Sequence, residues 1–117
     1  MELKDIIEEQ RQFSARHGWH WKVENMENMM KRLEYGTIAM TGEVGEFANV
    51  LKKVIRDKEA NIPIEEEKFA HLREELTDIF IYVILMSVTL GMNLENDWKA
   101  KKSKNEERFK RYEVEGK

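Results

Sequence analysis

One proline interrupts 117 residues, and across nearly all the rest apolar side chains recur three and four apart. That rhythm matches a helix of 3.6 residues per turn, and no long segment alternates as a half-buried strand would. The chain is therefore expected to be all-α. A first helix is predicted over residues 2 to 16, with Leu3, Ile6, Ile7, Gln10 and Phe13 on one face. It should stop at His17-Gly18, where glycine can take the left-handed conformation of a helix end. Trp19 to Glu27 reads as a loop. A second helix is predicted from about Asn28 to Asp57, with Leu33, Thr37, Met40, Val44, Phe47, Leu51 and Val54 facing inward. After a linker, Lys58 to Ile62, Pro63 falls where a first helical turn tolerates it, and Glu65, Glu66 and Glu67 follow at the positive end of the dipole. The third helix carries Phe69, Leu72, Leu76, Ile79, Val83, Met86 and Leu90, with Gly91 as its terminator. A fourth, basic helix is expected from Leu94 to Tyr112.

Between Ile79 and Leu90 nearly every position is apolar, all round the helix. Such a helix must be covered on more than one side. A single chain of this length has few helices to spare, so a homo-oligomer using this helix is expected. The length suits a single domain, 1–117. A net charge of -3 makes no general case for nucleic acid, and the absence of cysteine excludes disulfides and thiolate metal sites. Met1 to Asp5 lacks an apolar signal core, and the longest apolar run is about half a bilayer span. A cytoplasmic protein with no membrane partner is the expectation.

Five acidic pairs stand three residues apart, and a random scatter of 23 acids gives about four or five. Spacing alone therefore selects nothing. Position does: Glu43 and Glu46 each precede a predicted core residue, Val44 and Phe47. Glu75 and Asp78 likewise precede Leu76 and Ile79. One residue is about 100° around a helix, so each pair borders the apolar seam on the same side. Packed antiparallel, two such helices bring four carboxylates together, and their repulsion calls for cations. Oxygen-only donors suit magnesium, with manganese as substitute. The competing reading makes them ordinary helix flanks, paired with Lys52, Arg56 or Arg73. Gly42 and Gly45 flank Glu43 inside a helix, where each costs about 1 kcal/mol relative to alanine, so a close approach of backbone or ligand is expected there.

The runs Gly42-Glu43-Val44-Gly45-Glu46-Phe47 and Glu74-Glu75-Leu76-Thr77-Asp78-Ile79 resemble the MazG-like all-alpha nucleotide pyrophosphohydrolases, in particular the branch containing the dCTP pyrophosphatases. The resemblance covers roughly residues 10 to 110. It implies a four-helix bundle-like MazG-type fold assembled as dimers or tetramers, and magnesium held by Glu43, Glu46, Glu75 and Asp78 as the catalytic set. The implied reaction is hydrolysis of a nucleoside triphosphate to the monophosphate and pyrophosphate. Lys101, Asn105 and Arg108 match a phosphate-binding pattern of this branch, on a helix face shared with Trp98 and Tyr112. Phe13 and Trp19 stand at the branch's spacing, which implies that Trp19 stacks on the base, and Tyr82 matches a tyrosine lining the nucleotide pocket. Two positions depart from the pattern. Gly42 stands where many relatives carry a water-activating glutamate, and Val23 where the dCTP branch has histidine, which leaves base preference open. The alternative function is a non-catalytic helical interaction module, or nucleic-acid binding through the basic fourth helix. A response to magnesium and nucleotide would separate the enzyme from either.

Overall fold

Local chemistry sets where each helix begins. In the computed structural model, which describes residues 1–114, α1 (Leu3–Arg16) opens with the Glu2 amide donating to the Asp5 carboxylate at 2.9 Å. α2 (Met26–Glu59) opens on Asn25, whose side chain accepts from the Asn28 amide at 2.8 Å. This cap starts the helix two residues before the predicted Asn28, because an asparagine oxygen meets amides that helix geometry leaves unpaired. α3 (Glu66–Thr89) carries Glu66 and Glu67 in its first turn. Pro63 is not in that turn, as expected from the sequence, but in the linker before the Glu65 cap. α4 (Leu94–Arg108) is capped by Asn93, which accepts from the Asn96 amide at 3.1 Å. It ends earlier than predicted, and Tyr112 lies on a separate 3-10 turn, Lys110–Tyr112. Gly18 and Gly91 take φ of 79° and 64° at the ends of α1 and α3, as their place in the sequence suggests. No strand occurs among the described residues.

α2 and α3 form an antiparallel hairpin that makes most of the tertiary packing, and α1 lies against α3. Gly36 lets α2 close on Met86 and Trp21 at one end of the hairpin. An ion pair between Asp57 and Lys68 fastens the other end. The buried apolar side chains among the described residues are Val50 and Val54 of α2, Ile84 and Leu85 of α3, and Trp21 of the connecting loop. Thr89, 2% exposed, ties that loop down: its hydroxyl lies 3.1 Å from the Trp21 carbonyl and 3.2 Å from that of Leu85.

The seam keeps Val54 of the predicted stripe and departs from it elsewhere. Val44 and Leu76, expected in the core, are 47% and 57% exposed. The inward stripe of α3 runs instead through Glu75, Asp78, Tyr82, Leu85 and Thr89, and Glu43 stands a heptad from both Gly36 and Val50 on α2. An apolar count pulls the inferred seam toward the neighbouring valine and leucine. Glu43, Glu75 and Asp78 occupy the seam itself, while Glu46 is exposed.

α4 leaves α3 at an angle of 103° and makes at most marginal contact with the other three helices. The bundle expected of four helices is thus, within one chain, a bundle of three with a projecting fourth. The radius of gyration is 18.3 Å, against about 13 Å for a typical domain of this length. The accessible surface is 9376 Å², against about 6,700 Å² for a monomer of this mass. Phe69, Leu76, Phe80, Val83 and Leu90 form an exposed apolar stripe on α3. No single helix among the described residues is long and apolar enough to cross a membrane.

Candidate functional site

The α2–α3 hairpin brings Glu43, Glu75 and Asp78 together, with one oxygen of each within 4.8 Å of the others. Glu46, one turn along α2 from Glu43, joins Glu75 and His71 in a second group within the same limit. Glu75 belongs to both and is 9% exposed. Its Oε1 lies 3.0 Å from His71 Nε2, while its Oε2 is buried and has no hydrogen-bond partner. The adjacent Glu75 carboxyl, then burial and the nearby charges of Asp78 and Glu46, push Glu43 up to about 7. Burial, then the charges of Glu75 and Glu74, raises Asp78 above its ordinary value.

A buried carboxylate oxygen without a partner costs about 1–3 kcal/mol or more. A hard divalent cation among these oxygens would satisfy it and offset the repulsion of the clustered carboxylates, so the residues present fit such an ion. Lysine and arginine do not take that role: among the described residues none of the four acids is paired with either, and Arg73 bonds Glu66 at 2.9 Å instead. The helix-flank reading of these acids therefore lacks its partners.

Glu43 and Asp78 form one wall of a cavity of about 580 Å³, within the usual range for small-molecule sites. Its other walls are aromatic: Phe13, Trp19, Trp21, Tyr35 and Tyr82. Trp19 is 61% exposed at the cavity, whereas Trp21 is buried and structural. Burial, then Tyr35, Glu43 and Asp78, raises the Tyr82 hydroxyl above its ordinary value. Lys31 and Arg32 also line the cavity, and Arg32 is held by its Nε donating to Asn28 Oδ1 at 3.0 Å. Sequence reasoning missed Lys31, Arg32, Tyr35 and His71. The available signal was helical spacing from the acids: Asn28, Arg32 and Tyr35 lead along α2 toward Glu43, and His71 precedes Glu75 by one turn.

Lys101 and Asn105 do not meet the carboxylates within one chain. They line a shallow depression on α4 with Trp98, and the Arg108 guanidinium lies 5.0 Å over the Phe109 ring. Gly42 and Gly45, expected to mark a close approach, have nothing within 4 Å of where a Cβ would stand. The close approach is at Gly36, where a Cβ would lie 2.8 Å from Met86 Cγ.

The family model of the MazG nucleotide pyrophosphohydrolase domain matches residues 31–112, which include all four acids and α4. The chain is also similar to the Gene 37 protein of Mycobacterium phage L5, at 38% identity over 60 residues, an alignment covering 51% of each protein. The chain thus spans about half the length of that curated relative. No solved structure matches.

Proposed function

The chain belongs to the MazG nucleotide pyrophosphohydrolase family, and on that premise we propose that its cavity binds a nucleoside or deoxynucleoside triphosphate and cleaves it to the monophosphate and pyrophosphate. Membership implies nucleoside triphosphate pyrophosphohydrolysis in general, and the family typically uses a divalent metal. The observation that carries the reading for this chain is the unpartnered, buried Oε2 of Glu75 beside Glu43 and Asp78, at the wall of an aromatic cavity.

In this reading Glu43, Glu46, Glu75 and Asp78 hold magnesium, with manganese as substitute. Such an ion supplies positive charge at phosphate oxygens and makes water more acidic. The chain does the positioning. Trp19 and Tyr82 offer aromatic surfaces to the base, a contact that tolerates several bases. Lys31 and Arg32 face the same cavity and suit phosphate oxygens, with the planar guanidinium able to bind two at once. The spacing of Phe13, Trp19 and Tyr82 favours the dCTP pyrophosphatase branch. Val23, in place of that branch's histidine, makes the base a matter for measurement.

Lys101, Asn105 and Arg108 enter this reading through a second copy of the chain. α4 projects at 103° from α3, the surface is far larger than a compact monomer's, and an apolar stripe on α3 lies uncovered. In a homodimer or homotetramer that stripe is covered, and α4 of one copy brings its cations to the triphosphate held by another. Assay of dNTPs, NTPs and modified nucleotides with magnesium tests the activity. The wild type should release equal amounts of pyrophosphate and monophosphate from at least one of them, and Asp78→Asn or Glu46→Ala should lower the rate by about 10²-fold or more. Undiminished rates in both variants would remove the site.

A further inference from the structure

The acidic cluster does not end at Glu75. One turn back along α3 stands His71, its Nε2 3.0 Å from Glu75 Oε1, and across on α2 stands Glu46. The three donor atoms lie within 4.8 Å of one another. First-row ions hold nitrogen and oxygen donors at about 2.0–2.2 Å, which sets donors on one ion about 3–4 Å apart, a small side-chain adjustment from this arrangement. Glu75 links the two groups. It is nine-tenths buried, one oxygen meets His71, and the other is unpartnered and enclosed. The His71 side chain is 46% exposed, so an ion and its water have access.

We propose that Glu46, His71 and Glu75 form a second cation position, next to that of Glu43 and Asp78, which takes manganese, cobalt or nickel in preference to magnesium. The reason is the imidazole. Magnesium favours oxygen donors throughout, whereas nitrogen donors add affinity along the series from manganese to nickel. This inference rests on the carboxylate cluster being the cation site proposed above, and it adds a nitrogen ligand and a metal preference. A histidine that merely orients Glu75 by hydrogen bonding makes a different prediction, since glutamine preserves a donor at that place but is a poor ligand for cobalt or nickel.

Calorimetric titration of the full chain with cobalt, nickel and magnesium salts, each alone, separates the possibilities. H71A and H71Q should bind cobalt and nickel about 10- to 100-fold more weakly than the wild type. H71Q should change magnesium affinity less than about 3-fold. Pulsed electron spin resonance of the manganese-loaded protein should show imidazole-nitrogen coupling in the wild type and none in H71Q. Cobalt bound equally well by the wild type and H71Q, or an equal loss of magnesium and cobalt in H71Q, would overturn the proposal. Loss of magnesium binding in Asp78→Asn alongside unchanged cobalt binding in both His71 variants would overturn the nitrogen site alone. A wild type that binds none of the three ions would overturn the carboxylate site with it.

Discussion

At the scale of single residues the four acids were legible because two matched pairs fall on consecutive helices beside apolar positions. Their depth was not. An acid next to an apolar residue reads as a flank, yet Glu75 is more buried than either Val44 or Leu76. Lys31 and Arg32 were missed because long cationic side chains crowd most helix surfaces, and nothing in their type marks the two that face a cavity. The titration of Glu43 has a consequence for stability. Its carboxyl rises from 4.5 to about 7 on folding, first through the neighbouring Glu75 carboxyl. The folded chain therefore binds more protons than the unfolded chain between those values. That contribution is full below about 4.5 and is lost as pH rises through about 7. In chelator, the thermal midpoint of the wild type should fall over this window more than that of Glu43→Gln. Melts followed by circular dichroism check it, and magnesium at pH 8 should recover part of the loss.

At the scale of elements, type was readable almost everywhere and boundaries less so. The helical period of α3 was strong enough that Gly91 correctly marks its end, whereas the Asn25 cap was hidden in a run with several polar candidates. Gly42 and Gly45 flank an acid yet have open space around them, and Gly36 is the residue that helix packing requires. An alanine there would put its Cβ 2.8 Å from Met86 Cγ and 3.2 Å from the Trp21 ring. Gly36→Ala should destabilise the chain by about 1–3 kcal/mol, and Gly36→Ala with Met86→Ala should relieve the clash while leaving the cost of the lost methionine contacts. Denaturant midpoints of the two variants against Met86→Ala alone measure the coupling. Tertiary direction is what no local pattern carries: the spacing of Lys101, Asn105 and Arg108 puts them on a helix but says nothing of the 103° turn that carries α4 away from the acids.

At the scale of the molecule, the chain has 9376 Å² of surface and leaves Phe80, Val83 and Leu90 exposed, the stripe that a second copy covers in the function proposed above. The all-round apolar character of the third helix is legible in the sequence, whereas which face stays open is not. If α4 serves a neighbour's site, Asp78→Asn and Lys101→Ala/Arg108→Ala subunits should each be inactive alone. Unfolded and refolded together, they should regain roughly a quarter of wild-type activity if random dimers form. No recovery, together with a monomeric mass by light scattering, would confine the site to one chain. Catalysis by this chain requires the carboxylates of α2 and α3 to grip divalent ions. Crystals grown with manganese and a non-hydrolysable nucleoside triphosphate test this most directly. Anomalous difference maps should show manganese between Glu43, Glu75 and Asp78 with the triphosphate beside it, and a map with no peak among these side chains would contradict the account.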